Sequence, residues 1–539
     1  MRIGIAQINP VLADFETNFK KIIDDIHRAR DKKCELLVFP ECALIGYHPF
    51  DLLEREDLVR KQMSYLKKIE KQVPSGMAIV LGLITLTGKK LGRPYYNSAA
   101  LIQKNKKTQF FHKTLLPTGD VFDEARFIEP SKMDKNYFSY KGKRFFVTIC
   151  EDIWAWPDKA GKSPYEVNPI KKVERKKTDL VINLSASPYF VGKMKLREQV
   201  ALQTAKYFKA PILYANLVGA QDEIIFDGAS FVLDPQGKKL LSCHSFEEDL
   251  NIFDLSSRES WAKAPHISEI DELHRALKRG LADFVTKLGI KRVHLGLSGG
   301  IDSALVAALA VDALGPNRVT LIAMPGPFSD QISLELAEQL AKNLGCEFLN
   351  VPITKMYEGV KETVDVAFAI KNFSTVHENL QARIRGMTLM AYANATGSLL
   401  LTTGNKSEYA TGYSTLYGDM CGGLAPIGDL TKKQVYQLSN FYNSQSELIP
   451  HRIIDRAPSA ELRPNQKDQD SLPEYDILDK SVVQLVENFS PAKSKAEKWL
   501  LPILMGTEFK RWQAPPILKV SKHAFGRGRR YPIAHSYRG

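Results

Sequence analysis

The sequence predicts an α/β protein made of two successive domains, and three observations lead to that prediction. The length of 539 residues exceeds what one core usually organises, since a domain takes roughly 100–200 residues, and suggests two to four domains. Two regions alternate short apolar runs with stretches of helical spacing. Between them, from Ser256 to Pro265, this alternation stops. We therefore divide the chain into residues 1–256, a linker at 257–268 and residues 269–539.

The first region has the pattern of a layered α/β domain. Helical apolar spacing runs over residues 18–30 and 194–208. Short apolar runs predict strands at Ile3–Ile8, Leu36–Phe39, Ala78–Leu83, Ala99–Gln103, Phe145–Ile149, Leu180–Asn183, Ile212–Asn216 and Ala229–Leu233.

The second region repeats the strand and helix alternation more regularly. It opens with an amphipathic helix, Glu269–Leu288. Strands are then predicted at 293–297, 319–324, 347–351 and 399–402, and helices at 303–314, 333–344 and 377–396. Strands separated by helices form a parallel, doubly wound sheet, whose ligands bind at the carboxyl ends of its strands.

The composition is that of a soluble globular protein, with 44% hydrophobic and 25% charged residues. The first residues alternate like a strand and contain no apolar core of signal-peptide length, and no segment reaches the ~20 apolar residues of a membrane span. The six cysteines are scattered without a Cys-x-x-Cys pair, which argues against a disulfide framework or a structural zinc site. We therefore expect a cytoplasmic protein that does not bind membranes.

The net charge of +13 is compatible with nucleic acid, with polyphosphate substrates or with a well-solvated surface. Basic residues are spread along the chain before they concentrate at 527–530, and no aromatic-interleaved RNA-binding motif accompanies them. We therefore expect small-molecule substrates rather than nucleic acid.

The segment 298–303, Ser-Gly-Gly-Ile-Asp-Ser, lies between the first strand and the first long helix of the second sheet. Its glycines allow close approach of the backbone, and the helix N-terminus and two serine hydroxyls supply donors for a polyanion. Asp302 beside phosphates is expected to act through Mg²⁺. An ordinary glycine-rich turn with capping residues is the alternative. No lysine follows the glycines, so the loop is not a Walker A motif; it resembles the loops of enzymes that adenylate a substrate with ATP and release pyrophosphate.

Three polar residues follow apolar runs in the first region, namely Glu41, Lys113 and Cys150. Side chains that leave a sheet at its strand ends can converge, and these three supply a base, an oxyanion stabiliser and a nucleophile for acyl transfer. Taken singly, each is equally well a turn carboxylate, a surface lysine or a small core residue.

In combination, this pattern resembles the nitrilase-like amidohydrolases, and the resemblance extends over the first half of the chain. It implies an α-β-β-α sandwich in which Cys150 attacks a carboxamide, Glu41 is the general base and Lys113 stabilises the oxyanion. It also implies that Ser187 and Lys193 hold glutamine. The sequence departs from glutamine-using relatives at one position, because Gly119 stands where they commonly have tyrosine.

Four segments of the second half, 378–385, 402–408, 411–419 and 430–434, resemble the NAD synthetases, so that nearly the whole chain resembles the glutamine-dependent NAD synthetase family. The resemblance implies ATP contacts at Gly296, Leu297, Ser298, Gly299, Gly300, Ile301, Asp302, Ser303, Thr403, Lys432 and Ser459, deamido-NAD contacts at Asn379, Glu408 and Lys510, and Mg²⁺ ligands at Asp302 and Glu408. The segment 324–329 departs modestly from the family's more polar version.

The resemblance implies ATP-dependent amidation of deamido-NAD to NAD with ammonia released from glutamine, giving AMP, pyrophosphate and glutamate. ATP and Mg²⁺ are then substrate and cofactor, with no tightly bound prosthetic group. Because ammonium has no lone pair for attack, we expect ammonia to pass between the two sites in a protected passage, and we expect the chain to form a homo-oligomer. We also expect the polar segment 458–473 to order over a ligand.

Two other functions remain open on sequence alone. One is a different ATP-pyrophosphatase amidotransferase, which a panel of acceptor substrates distinguishes. The other is a nucleic-acid-binding protein with vestigial loops, which predicts salt-sensitive RNA binding without ATP turnover.

Overall fold

The computed structural model describes residues 1–158, 160–257 and 263–537. The contacts within the chain divide it into two compact units, Met1–Ile267 and Ser268–Gly539. Residues 258–262 of the expected linker and 538–539 at the end of the second expected domain lie outside the described residues, and the domain bounds drawn from the sequence stay a prediction.

The first unit contains two sheets and the helices that cover them. Its strands are β1 Arg2–Gln7, β2 Leu36–Val38, β3 Ala78–Leu86, β4 Tyr95–Gln103, β5 Gln109–His112, β6 Thr118–Gly119, β7 Phe122–Asp123, β8 Tyr137–Tyr140, β9 Lys143–Ile149, β10 Leu180–Ser185, β11 Ile212–Asn216, β12 Val218–Gln221, β13 Ile224–Asp227, β14 Phe231–Leu233, β15 Lys239–Ser242 and β16 Asp249–Asp254. Its helices are α1 Phe15–Asp31, α2 Glu56–Gln72, α3 Pro169–Lys172 and α4 Lys193–Phe208, with 3₁₀ turns at Phe50–Glu54, Glu124–Arg126 and Cys150–Ile153.

The two large sheets have the orders β16-β1-β2-β3-β4-β5 and β15-β14-β11-β10-β9-β8. In each sheet the central three strands are parallel, β1, β2 and β3 in one and β9, β10 and β11 in the other. Parallel strands all end at the same edge of a sheet. The chain segment that follows β2 therefore lies at the edge where β1 and β3 also end, and the segment that follows β9 lies at the edge where β10 and β11 also end.

Alternation of side chains along the strands builds three hydrophobic layers. Ile3 and Ile5 of β1 pack between the two sheets together with Phe145 and Val147 of β9. Ala6 faces helices α1 and α2 on the outer side of the first sheet. On the outer side of the second sheet, the strands pack against α4. The α-β-β-α sandwich implied by the resemblance is confirmed.

Helix α2, Glu56–Gln72, is not among the elements predicted from the sequence. Its apolar residues are few, but three of them, Val59, Leu66 and Ile69, fall on one face and are buried against the first sheet. A long, mostly charged helix is stabilised here by tertiary packing rather than by its overall hydrophobicity.

The second unit is built around one parallel sheet of β17 Val293–Gly296, β18 Val319–Ala323, β19 Glu347–Asn350 and β20 Leu399–Leu400, in the order β19-β18-β17-β20. Its helices are α5 Glu269–Lys287, α6 Ile301–Leu314, α7 Gln331–Leu344, α8 Thr354–Phe368, α9 Thr375–Thr396, α10 Lys406–Thr411, α11 Lys432–Tyr442, α12 His451–Asp455, α13 Tyr475–Val482, α14 Lys495–Gly506 and α15 Glu508–Arg511. Short 3₁₀ turns at Pro316–Arg318 and Asp468–Asp470 and a π-helical turn at Val483–Glu487 complete it.

Within this unit, α6 follows β17 and α7 follows β18, while α9 packs against β17 and β20. The parallel sheet with alternating helices agrees with the fold class predicted from the sequence. Helix α8 is an addition to the prediction, and α10 and α11 occupy segments that the sequence offered only as motifs. Among the helices of the described residues, none is both long and apolar enough to cross a lipid bilayer.

Candidate active sites

In the first unit, the fully buried Lys113 lies between two carboxylates. Its Nζ donates to Oε1 of Glu41 at 2.8 Å and to Oε1 of Glu124 at 2.7 Å. All three side chains are buried from solvent. Asn97 Nδ2 and the backbone N–H of Ala186 donate to the two oxygens of Glu41, each at 2.7 Å, and the Tyr47 hydroxyl donates to Glu124 at 2.7 Å.

Close backbone packing brings Glu41 to this cluster. The loop after β2 lies directly on β3, where a Cβ added to Gly82 would stand 2.2 Å from the carbonyl oxygen of Pro40 and 2.6 Å from Cα of Glu41. Only glycine leaves room for that approach. Lys113 directly follows β5, and its backbone N–H donates to the Asn97 carbonyl at 2.9 Å.

The surroundings shift the pKa values of Glu41 and Glu124 in opposite directions. Burial raises the pKa of Glu41, and the charge of Glu124 raises it further, against the opposite effect of Lys113. Burial also acts to raise the pKa of Glu124, but Lys113, His48 and the Tyr47 hydroxyl together outweigh it and hold the pKa below the ordinary value. Burial alone would lower the pKa of Lys113, yet Glu124 and Glu41 together hold it well above the ordinary value. Glu124 is therefore the counter-ion of Lys113, and Glu41 is the group ready to accept a proton.

Cys150 sits where β9 turns into a 3₁₀ helix, with a backbone φ of +44°. Such a left-handed conformation is rare for a side-chain-bearing residue and marks a sharp turn. The turn is held by Asp152, whose carboxylate accepts from the N–H groups of Ile149, Thr114 and Leu115, each at 2.9 Å. The last two directly follow Lys113, so one carboxylate ties the cysteine turn to the lysine segment.

The Cys150 thiol is buried against the core between the two sheets. Burial raises the pKa of the thiol, the Glu41 carboxylate raises it further, and Lys113 lowers it. The thiol is thus not ionised by itself, and forming the thiolate requires a base beside it. The structure brings together the predicted residues Glu41, Lys113 and Cys150 in one charged cluster.

Ser187 and Lys193 are expected from the resemblance to hold glutamine. Ser187 lies on the chain between β10 and α4, and Lys193 is the first residue of α4. Ser187 is buried; its hydroxyl oxygen accepts from Arg197 Nε at 3.1 Å, and its backbone N–H donates to Asn216 Oδ1 at 2.9 Å. The Lys193 ammonium lies 4.0 Å from the centre of the Trp154 ring. Gly119, where the sequence departs from relatives, lies in the exposed β6–β7 hairpin at φ +99°, a conformation that would strain a tyrosine.

The second unit contains a cavity of about 320 Å³ at the carboxyl ends of β17 and β18. All of the ATP contacts expected from the resemblance line it: Gly296, Leu297, Ser298, Gly299, Gly300, Ile301, Asp302, Ser303, Thr403, Lys432 and Ser459. Gly299 has φ +78°, and a Cβ there would stand 2.3 Å from the carbonyl oxygen of Ser333. The loop can therefore pass under α7 only with glycine at this position.

The starts of three helices meet at Asp302, which itself lies in the first turn of α6. Its carboxylate accepts from Lys432 Nζ at 2.5 Å and from Asn405 Nδ2 at 2.9 Å. Asn405 also caps α10 by accepting from the N–H of Ser407 and of Glu408. The same few contacts therefore join the starts of α6, α10 and α11 around the cavity.

Glu408 completes an acidic pair with Asp302. Burial raises the pKa of Glu408 well above its ordinary value, and the Asp302 charge adds to that rise. Burial acts to lower the pKa of Lys432, but Asp302 and Glu408 reverse this and raise it. Asp468, also on the cavity wall, has a pKa raised by burial and accepts from the Tyr475 hydroxyl at 2.8 Å. The site thus holds more buried carboxylates than cations, an arrangement suited to a divalent ion brought in with phosphates.

Comparison with known proteins agrees with both units. Residues 2–263 match the carbon-nitrogen hydrolase family and residues 273–508 match the NAD synthase family. Glutamine-dependent NAD(+) synthetases from Synechocystis sp. and Thermotoga maritima are 42% and 37% identical to the chain, over 99–100% of its length and 99% of theirs. The structure of a glutamine-dependent NAD+ synthetase from Acinetobacter baumannii in complex with ADP is 35% identical, with a TM-score of 0.78 over 99% of this chain and 98% of that one.

The chain belongs to the glutamine-dependent NAD⁺ synthetase family. Membership confirms the resemblance stated from the sequence and the fold class with its nitrilase-like and NAD synthetase parts. The family uses ATP, and the structure of the Acinetobacter baumannii relative contains ADP. The role of each single residue within the two sites stays a prediction.

Of the residues expected to contact deamido-NAD, Glu408 lines the cavity. Asn379 and Lys510 do not line it but form hydrogen bonds with the segment 412–415, which contributes to its wall. Lys510 Nζ donates to the carbonyl oxygens of Gly412 and Ser414 at 2.8 and 2.7 Å. Asn379 Oδ1 accepts from the hydroxyl of Thr415, a cavity residue, at 2.7 Å. In this structure both residues therefore act on the segment 412–415.

The segment 456–462 forms another wall of the same cavity. Arg456 pairs with Asp330 and Glu461, at 2.5 and 2.9 Å, and Glu461 accepts from the Ser333 hydroxyl at 2.6 Å. These contacts attach the segment to the start of α7. The expectation that 458–473 orders over a ligand stays a prediction, although the segment already has these internal anchors.

Two buried charged residues near the candidate sites, Glu124 and Lys406, were not predicted as site residues from the sequence. Glu124 lies after a hairpin of two-residue strands, too short for periodicity to predict, so no strand end pointed to it. Lys406 is fully buried two residues before Glu408 and binds Asp429 at 3.0 Å and Glu487 at 2.6 Å. These two partners of Lys406 lie 23 and 81 residues further along the chain, so no local sequence pattern predicts the ion pairs.

The division of roles between Glu41 and Glu124 predicts a pH effect. As the predicted general base, Glu41 must be ionised for glutamine hydrolysis. Because its pKa is raised above the ordinary 4.5, the rate should fall with decreasing pH before that value is reached. Glu124→Gln removes a charge that raises the pKa of Glu41, so the acid limb should move to lower pH. The measurement is kcat/KM for glutamine against pH.

Glu56→Gln is the matched control for this experiment, because Glu56 is an exposed carboxylate at the start of α2. It should leave the acid limb where it is. An acid limb that moves to higher pH in Glu124→Gln, or does not move at all, contradicts the assigned roles.

Proposed function

We propose that the chain forms NAD from deamido-NAD, ATP and glutamine, releasing AMP, pyrophosphate and glutamate. The observation that carries the proposal is the presence, in one chain of this family, of two distinct reaction centres. One is a buried thiol with a carboxylate base and a lysine, and the other is a glycine-lined cavity with an acidic pair at helix N-termini. The first suits the release of ammonia from an amide, and the second suits the activation of a carboxylate.

In the first centre, Cys150 attacks the carboxamide carbon of glutamine while Glu41 takes the thiol proton. Lys113, held in its charged form by Glu124, stabilises the negative charge that develops on the amide oxygen. Glu41 then returns the proton to the departing nitrogen, and ammonia leaves with cleavage of the carbon–nitrogen bond. Water, activated by the same carboxylate, hydrolyses the thioester to glutamate and restores the thiol.

In the second centre, the carboxylate of deamido-NAD attacks the α-phosphorus of ATP and pyrophosphate leaves. Ammonia then attacks the carbonyl carbon of the mixed anhydride, loses a proton, and displaces AMP to give the amide. The loop at 298–303 contributes backbone N–H groups and hydroxyls for the phosphates, and Lys432 contributes a positive charge.

The acidic pair fits Mg²⁺. Asp302 and Glu408 offer the oxygen ligands that this ion prefers. Burial and the charge of Asp302 raise the pKa of Glu408, which means that its ionised form is disfavoured, and a divalent cation between the two carboxylates would stabilise that form. Within the described residues, no group of three or more His, Cys, Asp and Glu side chains is placed to hold a metal. We therefore expect substrate phosphates to complete the coordination. Mg²⁺ would supply charge neutralisation for the phosphates during pyrophosphate release.

Separate variants test the assignment of the two centres. Cys150→Ala should lower NAD formation from glutamine by about 1000-fold or more, because it removes the nucleophile, and should leave NAD formation from ammonium salts intact. Asp302→Asn should stop NAD formation from either nitrogen source. The measurement is NAD and AMP produced from deamido-NAD, ATP, Mg²⁺ and each nitrogen source.

Cys346→Ala is the control, since Cys346 is a half-buried thiol away from the described centres. It should change neither activity. Loss of both activities in Cys150→Ala, with the fold intact by circular dichroism, contradicts the separation of the centres, and retained synthesis in Asp302→Asn contradicts its role in the second.

We also propose that the protein is cytoplasmic and works as a homo-oligomer. Support for the oligomer comes from α8, α9 and their connection, where several large apolar side chains are exposed: Val366, Phe368, Phe373, Val376, Met387 and Met390. Apolar surface of this extent is usual at subunit interfaces. Light scattering after gel filtration should give a mass that is a multiple of 60.6 kDa, and Met387→Glu should lower it. A monomer at all concentrations contradicts the proposal.

A further inference from the structure

We infer that Arg197 is a positioning residue for glutamine hydrolysis, which orients Ser187 so that its hydroxyl donates to the substrate. The inference rests on the proposed function, because it takes Ser187 as a glutamine contact. Its basis is a buried hydrogen-bond network around Ser187 that involves residues outside the expected catalytic and binding set.

Arg197 projects from the first turns of α4 and is fully buried. Its Nε donates to the Ser187 hydroxyl oxygen at 3.1 Å, and one terminal nitrogen donates to the Ser187 carbonyl oxygen at 2.6 Å and to that of Pro188 at 3.2 Å. One guanidinium therefore holds both the backbone and the side chain of a single serine. The planar fork of arginine makes such a multiple contact geometrically demanding.

The charge of Arg197 is balanced within the same network. Its other terminal nitrogen pairs with both oxygens of Asp227, at 2.6 and 2.7 Å. Asn216, at the end of β11, accepts from the Ser187 N–H at 2.9 Å and donates to Asp227 at 3.3 Å. The N–H, carbonyl and hydroxyl oxygen of Ser187 are thus all engaged, so the residue has little freedom to rotate.

The direction of the hydroxyl proton follows from donor and acceptor chemistry. A guanidinium has no acceptor, so the Ser187 hydroxyl must accept from Arg197 and cannot donate to it. The buried Tyr214 hydroxyl lies within reach of the Ser187 and Ser185 hydroxyls. Because Arg197 does not take the Ser187 proton, the serine can turn that proton from Tyr214 to an oxygen of the substrate, and Arg197 fixes the direction in which the serine donates.

A lysine cannot reproduce this arrangement, because its ammonium is a single point on a flexible chain. In Arg197→Lys, the Ser187 hydroxyl should rotate freely, and KM for glutamine should rise about tenfold, as for loss of one good hydrogen bond. The kcat for glutamine hydrolysis should change much less. NAD formation from ammonium should be unchanged, since Arg197 lies in the first unit and does not line the cavity at β17 and β18.

A double-mutant cycle with Ser187→Ala distinguishes positioning from a direct or merely structural role. If Arg197 acts through the serine hydroxyl, the double variant Arg197→Lys/Ser187→Ala should have the same KM for glutamine as Ser187→Ala alone. Arg60→Lys, a substitution at an exposed arginine, is the matched control and should change nothing.

Additive increases of KM in the cycle, or an unchanged KM in Arg197→Lys, overturn the inference. If Arg197→Lys does not fold, Asp227→Asn provides the same test. It weakens the ion pair that holds the guanidinium, and asparagine has nearly the same size as aspartate, so the packing around Arg197 is kept. A wild-type protein that hydrolyses no glutamine contradicts the proposed function instead, and so the two failures are separate.

Discussion

The chemistry of the first unit depends on one buried ammonium shared by two buried carboxylates. Removing three charges from water is costly, and the cost is offset only where each charge is paired and hydrogen-bonded. Lys113 can neutralise one carboxylate fully, and the other then carries a charge that burial disfavours. Lys113, His48 and the Tyr47 hydroxyl together hold the pKa of Glu124 below its ordinary value, whereas burial and the charge of Glu124 raise the pKa of Glu41. A carboxylate with a raised pKa is what the proposed base needs beside a thiol that does not ionise by itself.

The second unit uses the same physical device in a different setting. Lys432 is nearly fully buried and pairs with Asp302, while Glu408 is left with a raised pKa. Here the cavity is large, about 320 Å³, and its wall combines glycines and hydroxyls with apolar side chains such as Met324, Leu389 and Ile453. The unbalanced carboxylate therefore faces a space suited to a nucleotide and its cation rather than a thiol. In both units the charged residues follow parallel strands or begin helices, which is where a doubly wound or layered α/β fold concentrates its polar groups.

The sequence was most informative where a functional residue lies at the end of an apolar run. Glu41, Lys113, Cys150 and the loop at 298–303 were found in this way, because strand periodicity and the direction of parallel strands determine where such residues emerge. Glu124 and Arg197 cannot be found by the same reasoning, since their partners Tyr47 and Asp227 are 77 and 30 residues away and meet them only in the folded chain. Helix α2 was missed for a related reason: its apolar residues are sparse, and packing on the sheet stabilises it.

The most direct test of the central claim is the pH dependence of alkylation of Cys150 by iodoacetamide, an uncharged reagent, followed at that residue by peptide mass spectrometry. In the wild type, the rate should follow the ionisation of Glu41, because the carboxylate takes the thiol proton. In Glu41→Gln, alkylation should be slow at neutral pH and rise only in the alkaline range, since burial raises the pKa of the Cys150 thiol. The same rate profile in both proteins would contradict the account, because the base would then be a group other than Glu41.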